Sequence, residues 1–242
     1  MSNESPLFLE NAGHCPCCPG PSTFQSAYSW LRDHYVCTKC GSIPRERALL
    51  WCLDHFFPDW PTRRIHESSP VMRGASVRLA RECPQYLPSQ FFPGIAAGSV
   101  HQGVRCENFE KLTFADASID LHVSQDVMEH VFDPAAAFRE IARTLKPGGA
   151  HVFTTPLVEK HNPSQVCATL DAGGAIIHHR EPEYHGNPVS ADGALVTRHW
   201  GYDITDFIAA SSGLHTTLVY LDVPDQGIRA EYIEVLITRK PV

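Results

Sequence analysis

The chain has 242 residues, a formal net charge of −7, 43% hydrophobic and 19% charged residues, the balance of an ordinary globular protein. No apolar run reaches the ~18 residues of a membrane span, and the start MSNESPLFLENAG lacks the basic flank and apolar stretch of a secretory leader, so a reducing cytoplasm is the expected compartment. No Lys/Arg-rich block is present, which disfavours a nucleic-acid partner, and nine cysteines in such a chain point to metal binding or buried thiols, not a disulfide framework.

Met1 to about Asn11 reads as a tail. HCPCCPG and VCTKCGS follow, and they place Cys15 and Cys18 in one C-x2-C knuckle and Cys37 and Cys40 in another. Eighteen residues separate the knuckles, the spacing of a four-cysteine zinc ribbon, in which two tight turns each direct a pair of thiolates at one tetrahedral ion. Cys17 sits inside the first knuckle and is the alternative to Cys18. A closed four-thiolate site leaves no position for substrate, so the zinc is expected to be structural.

Ile43 to Phe57 has helical spacing of apolar residues (Ala48, Leu49, Cys52, Phe56) and ends before Pro58, with Arg45 and Arg47 expected on its exposed face. Further on, Ser118–Ser124 and AHVFTTP are short apolar runs that read as buried strands. Between them a helix is capped by Asp133, has Pro134 in its first turn, buries Phe138, Ile141, Ala142 and Leu145, and stops at Lys146-Pro147-Gly148-Gly149. Strand, helix, strand implies a parallel sheet. Residues 157–200 lose this regularity and contain the histidine-rich HHREPEYHGNP.

Leu112-Thr113-Phe114, Asp116, Ser118-Ile119-Asp120-Leu121, Asp126-Val127-Met128-Glu129-His130-Val131, Asp133-Pro134 and Leu145-Lys146-Pro147-Gly148-Gly149 together resemble the core of class I S-adenosylmethionine-dependent methyltransferases of type 11. The resemblance implies an α/β fold, a Rossmann-like seven-stranded methyltransferase sheet with the small ribbon at residues 1–42 and the methyltransferase domain at 43–242. It makes TRRIHESSP the first strand and cofactor loop, with Glu-Ser-Ser-Pro in place of the family's glycines, and residues 157–200 a substrate cover over the active-site edge. The implied cofactor contacts are Glu67, Ser68 and Ser69 at the amino-acid end, Gln90 or Ser89 at the ribose, Asn108 (or a turn residue there) with Phe109 at the adenine, and Gln125 with Asp126 beneath the methyl.

The expected activity is methyl transfer from S-adenosylmethionine to a small-molecule, sugar or carrier-bound acceptor. An RNA methyltransferase and a non-catalytic methyltransferase-like binding protein are the alternatives. Asp126, Glu129 and His130 form a D-x-x-E-H cluster that, if helical, would face the cleft, either around a hard cation or as acid–base equipment. The expectation is a proton-handling pair of His130 and His185, with His178 and Tyr184 as neighbours from the cover and without a second metal.

Overall fold

The N-terminal part of the computed structural model, which describes residues 6–187 and 189–242, pairs strand β1 (Leu9–His14) antiparallel with β2 (Pro21–Ser26). After the short helix α1 (Leu31–His34), β3 (Val36–Cys37) joins the free edge of β2. The tail is therefore shorter than expected: residues 1–5 lie outside the described residues, and Leu9 to Asn11 are already strand. Phe24 and Tyr35 belong to one buried cluster with Leu49, Leu53, Ile65, Val123 and Val235, so this segment shares the core of the main sheet.

Helix α2 (Pro44–Phe56) begins with Pro44, whose missing N–H is harmless in a first turn, and Glu46 Oε2 accepts from the Ile43 N–H at 3.2 Å. Its arginines are not solvated as expected. Arg47 is fully buried and the Arg45 side chain is 16% exposed. The reason is that the ribbon covers one side of the helix start and the sheet the other, so Pro44, Glu46, Ala48, Leu49 and Leu50 are buried as well.

Next in the chain come β4 (Ile65–Ser68), α3 (Gly74–Glu82), β5 (Tyr86–Gln90), β6 (Val100–His101), β7 (Val104–Cys106), β8 (Ile119–Gln125), α4 (Pro134–Thr144) and β9 (Leu145–Thr154). Among these, β4 pairs in parallel with β5 and β8, β5 with β7, and β8 with β9. Asp133 caps α4 by accepting from the Ala136 N–H at 2.9 Å, as its position predicts.

The main sheet has eight strands, not seven. The additional one is β6, at the end of a Gly- and Pro-rich stretch. Gln102 and Gly103 both take left-handed backbone (φ 49 and 80), and this tight reversal folds Val100–His101 antiparallel onto β7.

Residues 157–200 are also more ordered than expected. They form β10 (Gln165–Val166), β11 (Ala168–Leu170), β12 (Ile176–His178), β13 (Tyr184–Asn187), β14 (Ser190–Leu195) and β15 (Arg198–His199), paired antiparallel as β10 with β15, β11 with β12 and β13 with β14. This cover is pinned to the turn after β8. Thr197 Oγ1 donates to the Val131 carbonyl at 2.7 Å, and the buried Trp200 donates from Nε1 to the Met128 carbonyl at 3.2 Å. Helix α5 (Ile204–Ser212) and the antiparallel pair β16 (His215–Val219) and β17 (Val235–Arg239) complete the sheet, with β17 antiparallel to β9. No helix among the described residues is long and apolar enough to cross a membrane.

Register places His66, His122 and His151 side by side on β4, β8 and β9, all fully buried. Their bonding fixes their tautomers. Thr144 Oγ1 gives its hydrogen to the Glu140 carbonyl, so at 2.9 Å it accepts from His122 Nε2. The unprotonated His122 Nδ1 then accepts from His66 Nδ1 at 2.8 Å, and His66 Nε2 accepts from the Ser89 hydroxyl at 2.7 Å.

Burial pulls His66 and His151 down to about 3, and His122 well below its ordinary value. Unfolded imidazoles protonate near 6.5, so between there and pH 3 the unfolded chain binds more protons, and stability falls as pH falls. Urea denaturation across pH 6 to 4 should therefore show a steep loss of stability. In His151→Leu the slope should flatten by one proton, about 1.4 kcal/mol per pH unit; an unchanged slope would show that His151 takes up no extra proton on unfolding.

Candidate active site

A cavity of about 580 Å³ opens at the carboxyl ends of β4 and β8, where parallel α/β sheets bind ligands. Its walls come from several parts of the chain. The ribbon side gives Trp30, Arg32 and Asp33, α2 gives Arg45, the ends of β4 and β8 give Ser69, Val71, Gln125 and Asp126, and the cover gives Glu183, His185, Arg198 and His199.

The loop after β4 turns without the glycines of the family pattern. Ser69 takes left-handed backbone (φ 57) and its N–H donates to the Ser89 carbonyl at 2.8 Å. Behind it, Glu67 is fully buried: Oε1 accepts from Ser76 Oγ at 2.7 Å and from Gln125 Nε2 at 3.3 Å, and Oε2 accepts from the Tyr86 hydroxyl at 2.6 Å. Burial raises its pKa, and these three donors oppose the rise. Ser76 Oγ in turn accepts from the Val71 N–H. Glu67 thus fastens the loop to α3, β5 and β8 from beneath and is not itself in the cavity wall.

Asp126 is the second non-glycine residue with left-handed backbone here (φ 52). Its Oδ2 lies 2.7 Å from Arg32 Nη2 and 3.0 Å from Arg45 Nε, and Oδ1 accepts from Thr154 Oγ1 at 3.0 Å. Although burial opposes ionisation, the two guanidiniums hold the carboxyl well below the usual carboxylate range. Residues 126–130 form a turn, not the helix the D-x-x-E-H spacing invited, so Asp126 points to the arginines and away from Glu129 and His130.

Glu129 and His130 meet His185 from β13 instead. Glu129 Oε1 is 3.7 Å from His130 Nε2 and 3.8 Å from His185 Nδ1. Glu129, and Glu183 beyond it, raise the His185 pKa above its ordinary value. The other cover candidates stay outside: His178 and Tyr184 are exposed on their strands and do not line the cavity.

Several expected cofactor contacts are committed elsewhere. Ser68 is buried, Ser89 is tied to His66, and Asn108 accepts from the Glu110 N–H at 2.9 Å, the turn-residue alternative for that position. Phe109 is buried edge-on to His66, and Gln90 ends β5 half-buried outside the cavity lining. The residues that sequence reasoning missed include Trp30, Arg32, Asp33, Glu183, Arg198, His199 and Tyr232, and Arg45 was placed in solvent in preference to a ligand-binding role. One signal was available: Arg45-Glu46-Arg47 at the start of a helix cannot all share one face at ~100° per residue.

Away from the cavity, Cys15, Cys18, Cys37 and Cys40 converge, with Cys15–Cys40 and Cys18–Cys37 sulfur separations of 3.8 Å. A zinc ion bonded to four sulfurs at about 2.3 Å has tetrahedral edges of about 3.8 Å, so this donor set suits that ion. Cys17 is buried outside the cluster, with its N–H directed at Cys15 Sγ.

Residues 92–153 match the family model of a methyltransferase domain. The chain is 50% identical over 50 residues to a dimethylglycine N-methyltransferase of Parasynechococcus marenigrum (strain WH8102), covering 21% of this chain and 18% of that one. It is 30% identical over 129 residues to an uncharacterized methyltransferase of Mycobacterium sp. (strain JLS), covering 52% and 51%. The chain thus spans about half, or less, of the length of these curated relatives. An S-adenosylmethionine-dependent methyltransferase from Mesorhizobium loti superposes with a TM-score of 0.50 at 21% identity, covering 80% of this chain and 98% of that one, which identifies the fold.

Removing the carboxylate between Arg32 and Arg45 leaves the two buried guanidiniums sharing only Asp33, whose side chain is 44% exposed. Asp126→Asn is therefore expected to lower stability in urea denaturation by about 3 kcal/mol or more. A loss below about 1 kcal/mol would mean that the arginines are neutralised by other groups.

Proposed function

We propose that this chain transfers a methyl group from S-adenosylmethionine to the O, N or C atom of a small-molecule, sugar or carrier-bound acceptor. The observation that carries the reading is that one cavity joins the loop after β4 to the Glu129–His130–His185 corner under the cover. The bound donor supplies an electrophilic methyl on a sulfonium; the acceptor's bond to carbon forms as the carbon–sulfur bond breaks, leaving its electron pair on sulfur. Residues of this chain align the two partners, which is the larger part of such catalysis.

Ser69 and Gln125 shape the donor side, and the Arg32–Asp126–Arg45 group walls it. On the acceptor side Glu129 Oε1, which has no hydrogen-bond partner among the described residues, accepts from the acceptor's O–H or N–H and so orients its lone pair. His199 and Glu183, 2.8 Å apart, line the way out for a released proton. The net charge of −7 favours such an acceptor over a nucleic-acid backbone. A second reading, a binding protein without catalysis, is favoured by one observation: Ser89, Asn108 and Phe109 are engaged internally and offer the adenosine end little.

We further read the four-cysteine cluster as a structural zinc site. Metal analysis of protein purified without chelator should give one equivalent held by the cysteines, lost in Cys18→Ser and kept in Cys17→Ser; the opposite result would exchange these two ligands. Calorimetry separates the two functional readings: S-adenosylmethionine and S-adenosylhomocysteine should both bind folded protein, and no binding at millimolar concentration would leave the non-catalytic reading.

A further inference from the structure

We propose that Glu129, His130 and His185 bind a divalent cation of the first transition row beside the acceptor position, a centre separate from the four cysteines. The site stands on its own geometry; only what its ion would touch rests on the methyl-transfer reading.

The argument begins with the outer bonds of the three side chains. Glu129 Oε2 accepts from Thr155 Oγ1 at 2.9 Å, while Oε1 is buried with no hydrogen-bond partner among the described residues, on a side chain that is 2% exposed. His130 Nδ1 lies 2.9 Å from the Leu195 carbonyl, which can only accept, so Nδ1 carries the hydrogen and Nε2 of the neutral ring is a bare lone pair. His185 Nε2 lies 3.2 Å from the Glu183 carboxylate, so in the neutral ring Nε2 carries the hydrogen and Nδ1 is the bare nitrogen.

Those two lone pairs face Glu129 Oε1 from 3.7 and 3.8 Å, and the three ligand atoms lie within 4.8 Å of one another. Three electron-rich atoms aimed at one point repel unless positive charge lies between them. A ring proton does not serve at this separation, which is longer than the 2.7–3.2 Å typical of N–H···O bonds. An ion bonded to each at about 2.0–2.1 Å does, with ligand atoms drawing in to about 3.4 Å.

The outer bonds have the form that orients metal-binding imidazoles, the distal N–H held by a carbonyl or a carboxylate. Two imidazoles with one carboxylate suit zinc, cobalt, iron or manganese, whereas magnesium and calcium take oxygen ligands. All three residues line the cavity, so further coordination positions would open toward an acceptor oxygen or nitrogen. Asp126, the carboxylate that the D-x-x-E-H spacing suggested, is held by Arg32 and Arg45, and the cover supplies His185 in its place. The ion would therefore also clip β13 to the turn after β8.

The test titrates the full-length, zinc-loaded protein with Co²⁺. Metal content and visible absorption should show a second equivalent whose ligand-field bands lack sulfur charge transfer. Glu129→Gln, which keeps the contact to Thr155, and His185→Ala should each weaken that equivalent at least about tenfold, leaving the cysteine-bound metal and S-adenosylhomocysteine affinity unchanged. No second equivalent, or one indifferent to both substitutions, overturns the site and returns His130 and His185 to proton handling. A protein that binds the second ion but no S-adenosylhomocysteine keeps the site and loses the methyl-transfer reading. Binding of S-adenosylhomocysteine without the ion does the reverse.

Discussion

The Arg47 guanidinium is a fully buried cation on which the ribbon, α2 and the C-terminal third of the chain all converge. It donates from Nε and Nη2 to the Gly227 carbonyl at 2.9 and 2.7 Å, from Nη2 to the Tyr35 carbonyl at 2.7 Å and from Nη1 to the Ser42 carbonyl, and it lies over the Phe24 ring. No carboxylate among the described residues forms an ion pair with it, and an uncompensated buried charge costs several kcal/mol. The cysteine cluster lies one serine away. Ser42 Oγ lies 3.2 Å from Arg47 Nη1, 3.3 Å from Cys15 Sγ and 3.2 Å from Cys40 Sγ. With the proposed zinc bound, four thiolates around a divalent ion would carry two net negative charges, the counter-charge that the burial of Arg47 requires.

That constraint extends to the cavity through sequence adjacency. With Arg47 fixed, Glu46 turns to Arg73 at 2.8 Å and presses on the start of α3, where a Cβ at Gly74 would meet Glu46 Oε2 at 2.1 Å. Arg45, one residue earlier, reaches Asp126 and Asp33. The ribbon is a wall of the cleft, and Arg32 with Trp30 reaches into it directly.

The parallel core was legible because each element carries its own local signal. The alternation of apolar runs with a capped helix located β8, α4 and β9, and double C-x2-C spacing located four thiols that do converge. The strand pairing inside the cover and the arginine wall were not legible, because both depend on long-range packing. The short pairs of residues 157–200 have little apolar periodicity, and Arg45 and Arg47 look solvated until the ribbon is folded across them. The loop after β4 lies between these cases. Its glycines are absent, yet Ser69 supplies the left-handed turn, held by the bonds around Glu67 and Ser76.

Charge divides the cavity into two unlike halves. On the ribbon side Arg32 and Arg45 meet Asp33 and Asp126, two positive charges against two negative, so that wall is neutral without a ligand and serves to hold shape. On the cover side Glu129 and Glu183 meet imidazoles whose inner nitrogens are bare, and Glu129 Oε1 is unsatisfied. A buried carboxylate oxygen left without a donor costs free energy that the folded protein recovers only on gaining a hydrogen or a cation. The stored demand for positive charge therefore lies under the cover, and a reacting group is drawn to that half of the cavity.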